Sequence, residues 1–253
     1  MNQKNIKIFV VLLLALMVNM SCVLKEENRE SIILDGVQIS TRSNMVWNFP
    51  VNPSTLEWKT LKSYEDQLLA YNIPEGMITR ISTEELLEVC LAYPEWGVIN
   101  AFNSRRVGLN NMMSHFNGFR ELFARDDAAK ELIKVYSRLD PLAIGENWTL
   151  LQKGEYSFQI NCIELLLSHG MMIEKLDAQD IQVLQDEAIL KYGQKKQLSD
   201  VSLWDLSPTA GLYLSILDRT GDLAKGDTEL RSLMLNLMAE DIGVLDRAIN
   251  IKK

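Results

Sequence analysis

Few side chains in this sequence have the chemistry to act on a substrate. It carries three cysteines and two histidines, Cys22, Cys90, Cys162, His115 and His169, beside 34 acidic residues. Nucleophilic catalysis needs a Ser or Cys next to a base that a third group orients. Cys162 and His169 share one helical face, but seven residues of helix separate them by ~10.5 Å of rise, too far to touch. His115 falls beside Phe116-Asn117-Gly118 at a helix end, where a cation favours the C-terminal dipole. Paired carboxylates can run acid–base hydrolysis of a glycan, and Glu84, Glu85, Asp126 and Asp127 are the candidates. Each of them also has a helix-start role. With no CxxC and two distant histidines, no metal site is expected, and nothing calls for a cofactor. A Gly-rich phosphate loop, HExxH, a calcium loop and GxSxG are missing. The pairs Met112-Met113 and Met171-Met172 suit either an adaptable binding groove or a packed core. No catalytic residue is singled out, and the binding residues stay unknown.

Charge narrows the partners. The formal net charge is −8, and the basic clusters go no further than the pairs Arg105-Arg106 and Lys195-Lys196. Nucleic acid is therefore not an expected partner. A hydrophobic content of 47% is enough to build a core and rules out wholesale disorder. Cys90 and Cys162 sit on apolar helical faces and read as free buried thiols, although an exported compartment would permit a disulfide between them.

The elements that must position these residues read as helices throughout. Leu56 to Ala70 carries Trp58, Leu61, Leu68 and Leu69, with Ser63 as a restart cap. Pro74 suits a first helical position and opens Pro74 to Ile81. Ser82-Thr83-Glu84-Glu85 is a capping box. Behind it Leu86, Val89, Cys90 and Tyr93 form one apolar stripe that Pro94 stops. Trp96 to Phe102, Ser104 to Phe116, and Phe119 to Ala124 follow, with a break at Asn117-Gly118. Asp127 to Leu139, capped by Asp126 or Asp127, repeats the stripe at Leu132, Val135, Tyr136 and Leu139, about 46 residues on. That offset falls in the ~40–47 range of HEAT and armadillo arrays. Asp140 to Gly154 reads as a loop holding Trp148. Glu155 to His169, ended by Gly170, is apolar nearly all round and is the expected centre of the fold. Asp177 or Ala178 starts a helix to Tyr192, Gly193 to Pro208 reads as an ordered loop, and Thr209 to Leu217, Thr228 to Ala239 and Ile242 to Ile251 complete an all-α series.

The N-terminus speaks to location. Lys4 and Lys7 precede an unbroken apolar run, Ile8 to Val18, about half the ~20 residues of a membrane span and right for a secretory signal. Asn19-Met20-Ser21-Cys22 follows. This arrangement resembles the lipobox of bacterial lipoproteins: Ser21 and Cys22 agree with it, while Asn19 and Met20 depart from its usual Leu and Ala or Ser. An ordinary cleaved signal would leave Cys22 as a thiol. The resemblance implies acylation of Cys22 and removal of residues 1–21, and acyl chains at ~0.8 kcal/mol per buried methylene would hold the protein on a bilayer. Lys25-Glu26-Glu27 is similar to the tag that directs some lipoproteins to the outer face of the outer membrane. A second pattern, Trp58, Leu61, Glu65, Ile73-Pro74, Ser82-Thr83, Leu86, Tyr93-Pro94, Phe116-Asn117-Gly118 and Glu121-Leu122, resembles an uncharacterised family of secreted bacterial all-helical proteins. That likeness implies export and a helical fold, and brings no functional residue with it.

The expected organisation is a signal over residues 1–21, a lipidated tether over 22–54 docking at Trp47 and Phe49, and one all-helical domain over 55–253. The expected function is a non-enzymatic binding or scaffold lipoprotein of the bacterial envelope, meeting a protein, peptide or glycan. Two alternatives stand: a carboxylate-dependent envelope hydrolase and a purely structural envelope component.

Overall fold

The computed structural model describes residues 45–145 and 147–251, together with the backbone of 33–34 and 37–38. Cys22 and the signal-like segment lie outside the described residues. Ile33–Leu34 and Val37–Gln38 form a two-residue antiparallel ladder. The rest is all-α, with twelve α-helices among the described residues. In chain order they are α1 (Tyr64–Ala70), α2 (Glu75–Ile78), α3 (Thr83–Leu91), α4 (Arg105–His115), α5 (Asn117–Ala124) and α6 (Ala128–Arg138). Then come α7 (Leu150–Leu167), α8 (Gly170–Ile173), α9 (Ala178–Lys195), α10 (Leu203–Thr220), α11 (Thr228–Asn236) and α12 (Ile242–Ile249).

Local chemistry explains most starts. Ser63, Ser82, Thr149 and Asp177 each close a capping box over α1, α3, α7 and α9, satisfying amide groups that the first turn leaves without partners. The stretch from Leu56 is not one helix. It is a 3-10 turn over Trp58–Thr60, then a break at Leu61 before Ser63 restarts the chain. Asn117 does not interrupt the chain as a loop; it begins α5, and its side-chain amide brackets Ile73 by accepting from its N–H (2.9 Å) and donating to its carbonyl (2.7 Å). The turn falls one residue earlier, at Phe116, whose ring lies where a side chain on Gly118 would have to go.

Two rows of helices pack side by side, α3–α6–α9 in one and α4–α7–α10 in the other, with α6 on α7 and α9 on α10 between rows. Cations clamp successive units at nearly constant spacing. Arg125 donates to the carbonyls of Ile81 and Ile78, both at 2.8 Å, which lie 44 and 47 residues back. Lys175 repeats the move on Phe123 and Arg125, both at 2.6 Å, at 52 and 50 residues. The stripes read from the sequence face each other in this stack: Leu86, Val89 and Cys90 of α3 and Leu132 and Tyr136 of α6 are fully buried. Each such side chain contributes ~1.5–3 kcal/mol by leaving water.

The apolar helix α7 starts at Leu150 rather than Glu155, because Thr149 and Gln152 make the capping box there. It ends at Leu167, and Gly170 begins the short α8 instead of closing α7. It shares the centre with α10, which packs on α7, α8, α9, α11 and α12. The ordered loop expected over Gly193 to Pro208 is therefore a misreading of three pieces: the end of α9, a short turn, and the first turns of α10 with Pro208 inside it. Proline lacks the N–H that would bond the carbonyl four residues back. That carbonyl, on Trp204, instead accepts from the Arg105 guanidinium at 2.8 Å.

The core reaches back to Met45. Trp47 donates its indole N–H to the Tyr71 carbonyl at 3.0 Å. Phe49 is 1% exposed and packs edge-on against Tyr71 (5.8 Å) and Tyr93 (6.2 Å), beside Phe116 stacked on Tyr93 at 4.6 Å. It does so with a φ of 54°, in the left-handed region. Cys90 and Cys162 are both free and buried.

Candidate functional site

The carboxylates that sequence pattern offered for hydrolysis lie at two helix starts, and two of them are engaged there. Glu85 caps α3, accepting from the Ser82 amide at 2.7 Å, and these bonds hold its carboxyl below the usual range. Asp127 occupies the N-cap position of α6 without capping it; its carboxylate accepts from the Thr83 hydroxyl at 2.8 Å and ties α3 to α6. Glu84 and Asp126 lie at the same two helix starts. The histidines are equally local. His115 ends α4 with Nδ1 2.8 Å from the Asn111 carbonyl. His169 caps α8, accepting from the Met171 amide, and its ring meets Phe123 edge-on at 4.8 Å. Met112 and Met172 are core residues, Met113 is half-buried and Met171 exposed, and none of the four lines the larger cleft described below.

A buried charged constellation that the pattern did not offer sits between α7, α9 and α10. Glu164 and Lys195, 0% and 1% exposed at the side chain, pair at 2.8 Å. Lys195 also donates to the Asn161 side-chain oxygen (2.8 Å) and the Asp205 carbonyl (2.9 Å). Glu164 also accepts from the hydroxyls of Tyr136 and Thr209, both at 2.9 Å. Burial lowers the Lys195 ammonium and raises the Tyr136 phenol well above its ordinary value, and each partner is saturated by the other members. Lys191 lies one turn earlier on α9, bonded to Glu187 at 2.6 Å and set 4.6 Å over the Tyr136 ring. No network member lines either of the two recesses described next. The network can fix the register of four helices, α6, α7, α9 and α10; it offers no surface to a substrate. Lys195 had read only as half of a basic pair, and the packing of α9 is what reveals its burial.

Two recesses differ in what they can hold. A crevice between Tyr64, Tyr93, Glu95 and His115 encloses about 10 Å³, near the ~10–15 Å³ that one water needs. Burial raises the Glu95 carboxyl, and the Tyr71 hydroxyl donates to it at 3.3 Å. The second is a cleft of about 420 Å³ along α11 and the segment leading into α12, inside the ~300–1,000 Å³ range of ligand sites. Its polar wall is one face of α11, Thr228, Ser232 and Asn236 at successive turns, faced by Asn103 ahead of α4. Leu233, Met238, Ala239 and Val244 give it an apolar floor, and Glu229 and Glu240 stand in its lining.

The floor residues Met238 and Ala239 follow a strained residue. Leu237 ends α11 with φ 56° and ψ 36°, a left-handed conformation usually left to glycine. It is fully buried against Gly211 of α10, and a side chain on Gly211 would occupy the space of its methyl. The Ala239 amide donates to the Ser207 hydroxyl at 3.1 Å, pinning the segment to α10. From sequence, Thr228, Ser232 and Asn236 read as the ordinary wet face of a helix, because the floor beside them is completed by the segment that follows the left-handed turn.

Among the described residues, no group of three His, Cys, Asp or Glu could hold a metal ion. No described helix is long and apolar enough to cross a membrane. No family model matches this sequence, and neither a curated protein nor a solved structure shows significant similarity to it.

Proposed function

We propose that the protein is an envelope lipoprotein, acylated at Cys22, that acts as a non-enzymatic binding or scaffold module through the cleft along α11. The observation that carries the reading is that cleft. It has ligand-site volume, an apolar floor and a wall of neutral hydrogen-bonding side chains, the mixture by which binding sites orient what they hold. The carboxylate and histidine candidates lie elsewhere, at helix ends, and Glu229 in the cleft is engaged by Arg247 at 2.6 Å. Hydrolysis by paired carboxylates would have only Glu240 left there, so binding is the better supported reading. An acyl anchor at the N-terminus and a cleft near the C-terminus would place the binding face away from the attachment point in sequence, free to meet a second component.

Two measurements test the two halves. Mild-detergent capture from native envelopes should retain a component with wild-type protein and lose it with Ser232→Trp, which fills the cleft from an exposed position. Equal capture by both proteins would remove the cleft from the function. Intact-mass analysis should show acyl chains on wild type and none on Cys22→Ala; a wild-type mass without acyl chains rejects the anchor.

A further inference from the structure

We propose that the occupant of the α11 cleft is an extended peptide segment carrying Lys or Arg, an inference that rests on the binding reading above. Charge is the first argument. The cleft lining holds two carboxylates and neither a lysine nor an arginine. Glu229 is neutralised by Arg247, whereas Glu240 is exposed and has no hydrogen bond or ion pair among the described residues. A cationic side chain would supply the missing partner, and an anionic ligand would meet repulsion from this wall and from a chain of net charge −8.

Hydrogen bonding is the second argument. Asn103 and Thr228, both exposed, leave their side-chain groups without protein partners among the described residues, while Ser232 and Asn236 bond each other at 3.2 Å. Amides and hydroxyls that donate and accept in turn match a peptide backbone, which presents both functions at each residue. The floor of Leu233 and Val244 suits the methylene stem of Lys or Arg, whose head would reach Glu240 at the rim. Among the described residues, no aromatic side chain lines the cleft. A sugar ring would therefore find no flat face to stack on, which turns the choice from glycan to peptide.

The full-length protein in non-ionic detergent provides the test, with three probes: a fluorescein-labelled alternating Lys–Ala octapeptide, its Glu–Ala counterpart, and chitotetraose. Binding is read by anisotropy, and the site by amide NMR shifts. The expected result is binding of the Lys–Ala peptide with shifts centred on α11, weakened by added salt. Affinity should fall up to about fivefold in Glu240→Gln, the range of a partly exposed ion pair. It should be lost in Ser232→Trp, which keeps the net charge and so separates the cleft from general attraction to an acidic protein. Equal binding of the Glu–Ala peptide, or unchanged affinity in Ser232→Trp, overturns the proposal. Shifts at the cleft with chitotetraose instead of the peptide overturn the peptide assignment and leave the binding module standing. If neither probe reaches the cleft, the peptide proposal falls, and the envelope capture decides the binding module independently.

Discussion

Glu164 and Lys195 show how differently a charge behaves when it is removed from water with all its partners. Breaking such a pair leaves an uncompensated buried charge, which costs ~3–5 kcal/mol, while replacing both members by apolar groups is often neutral. Glu164→Leu alone should lower unfolding free energy by about that amount, because Lys195, Tyr136 and Thr209 all lose an acceptor. Adding Lys195→Met should recover a large part of the loss in a urea double-mutant cycle; an additive result would mean the pair is not coupled. His169 gives a pH signature of its own. Burial first, and the nearby Arg106 second, lower its imidazole to about 4, against ~6.5 in an unfolded chain. The folded state therefore binds this proton less readily than the unfolded one. Its contribution is complete above pH ~6.5 and is lost as pH falls toward 4. His169→Asn keeps an acceptor for the Met171 amide and removes the titration, so its urea midpoint should fall less between pH 7 and 4 than that of wild type.

At the scale of elements, legibility followed the range of the information. The start of α3 was readable because Ser82 and Glu85 are three residues apart and the stripe from Leu86 to Tyr93 lies within two turns. The start of α10 was not, because Pro208 inside an otherwise polar stretch reads as a terminator. What permits it is Arg105, 99 residues away, donating to the carbonyl that the proline leaves free and stacking its guanidinium 4.6 Å over Trp204. Arg105→Ala should cost about 1–3 kcal/mol by orphaning that carbonyl, seen as a lowered urea midpoint with the helical circular dichroism retained. The cleft was illegible for a similar reason. Its polar wall is periodic in the sequence, but Met238 and Ala239 join its floor by way of the left-handed turn of Leu237 over Gly211. Gly211→Ala should force that leucine out of place at a cost of about 1–3 kcal/mol and shift the amide resonances of 237–241; an unchanged stability would show that the turn is not held by this contact.

At the scale of the molecule, two helical rows share one buried core, clamps tie successive segments along it, and the lead-in is joined by a plug. Phe49 sits among Tyr71, Tyr93 and Phe116, so Phe49→Ala should cost ~3–5 kcal/mol as a large core truncation. Limited proteolysis should then cut near Trp47 before it cuts α3; protection equal to wild type would mean the lead-in is held elsewhere. The clamps from Arg125 and Lys175 both point backwards along the chain. A backbone carbonyl shut away from water must be bonded, and each of these finds its donor about fifty residues further on. In a chain made N-terminus first, the Ile78 and Ile81 carbonyls wait for Arg125 to emerge, and those of Phe123 and Arg125 wait for Lys175. Two stretches of the chain are thus finished by later ones. Order of synthesis becomes order of closure, and a nascent chain stopped between two clamps ends on a unit that is still open.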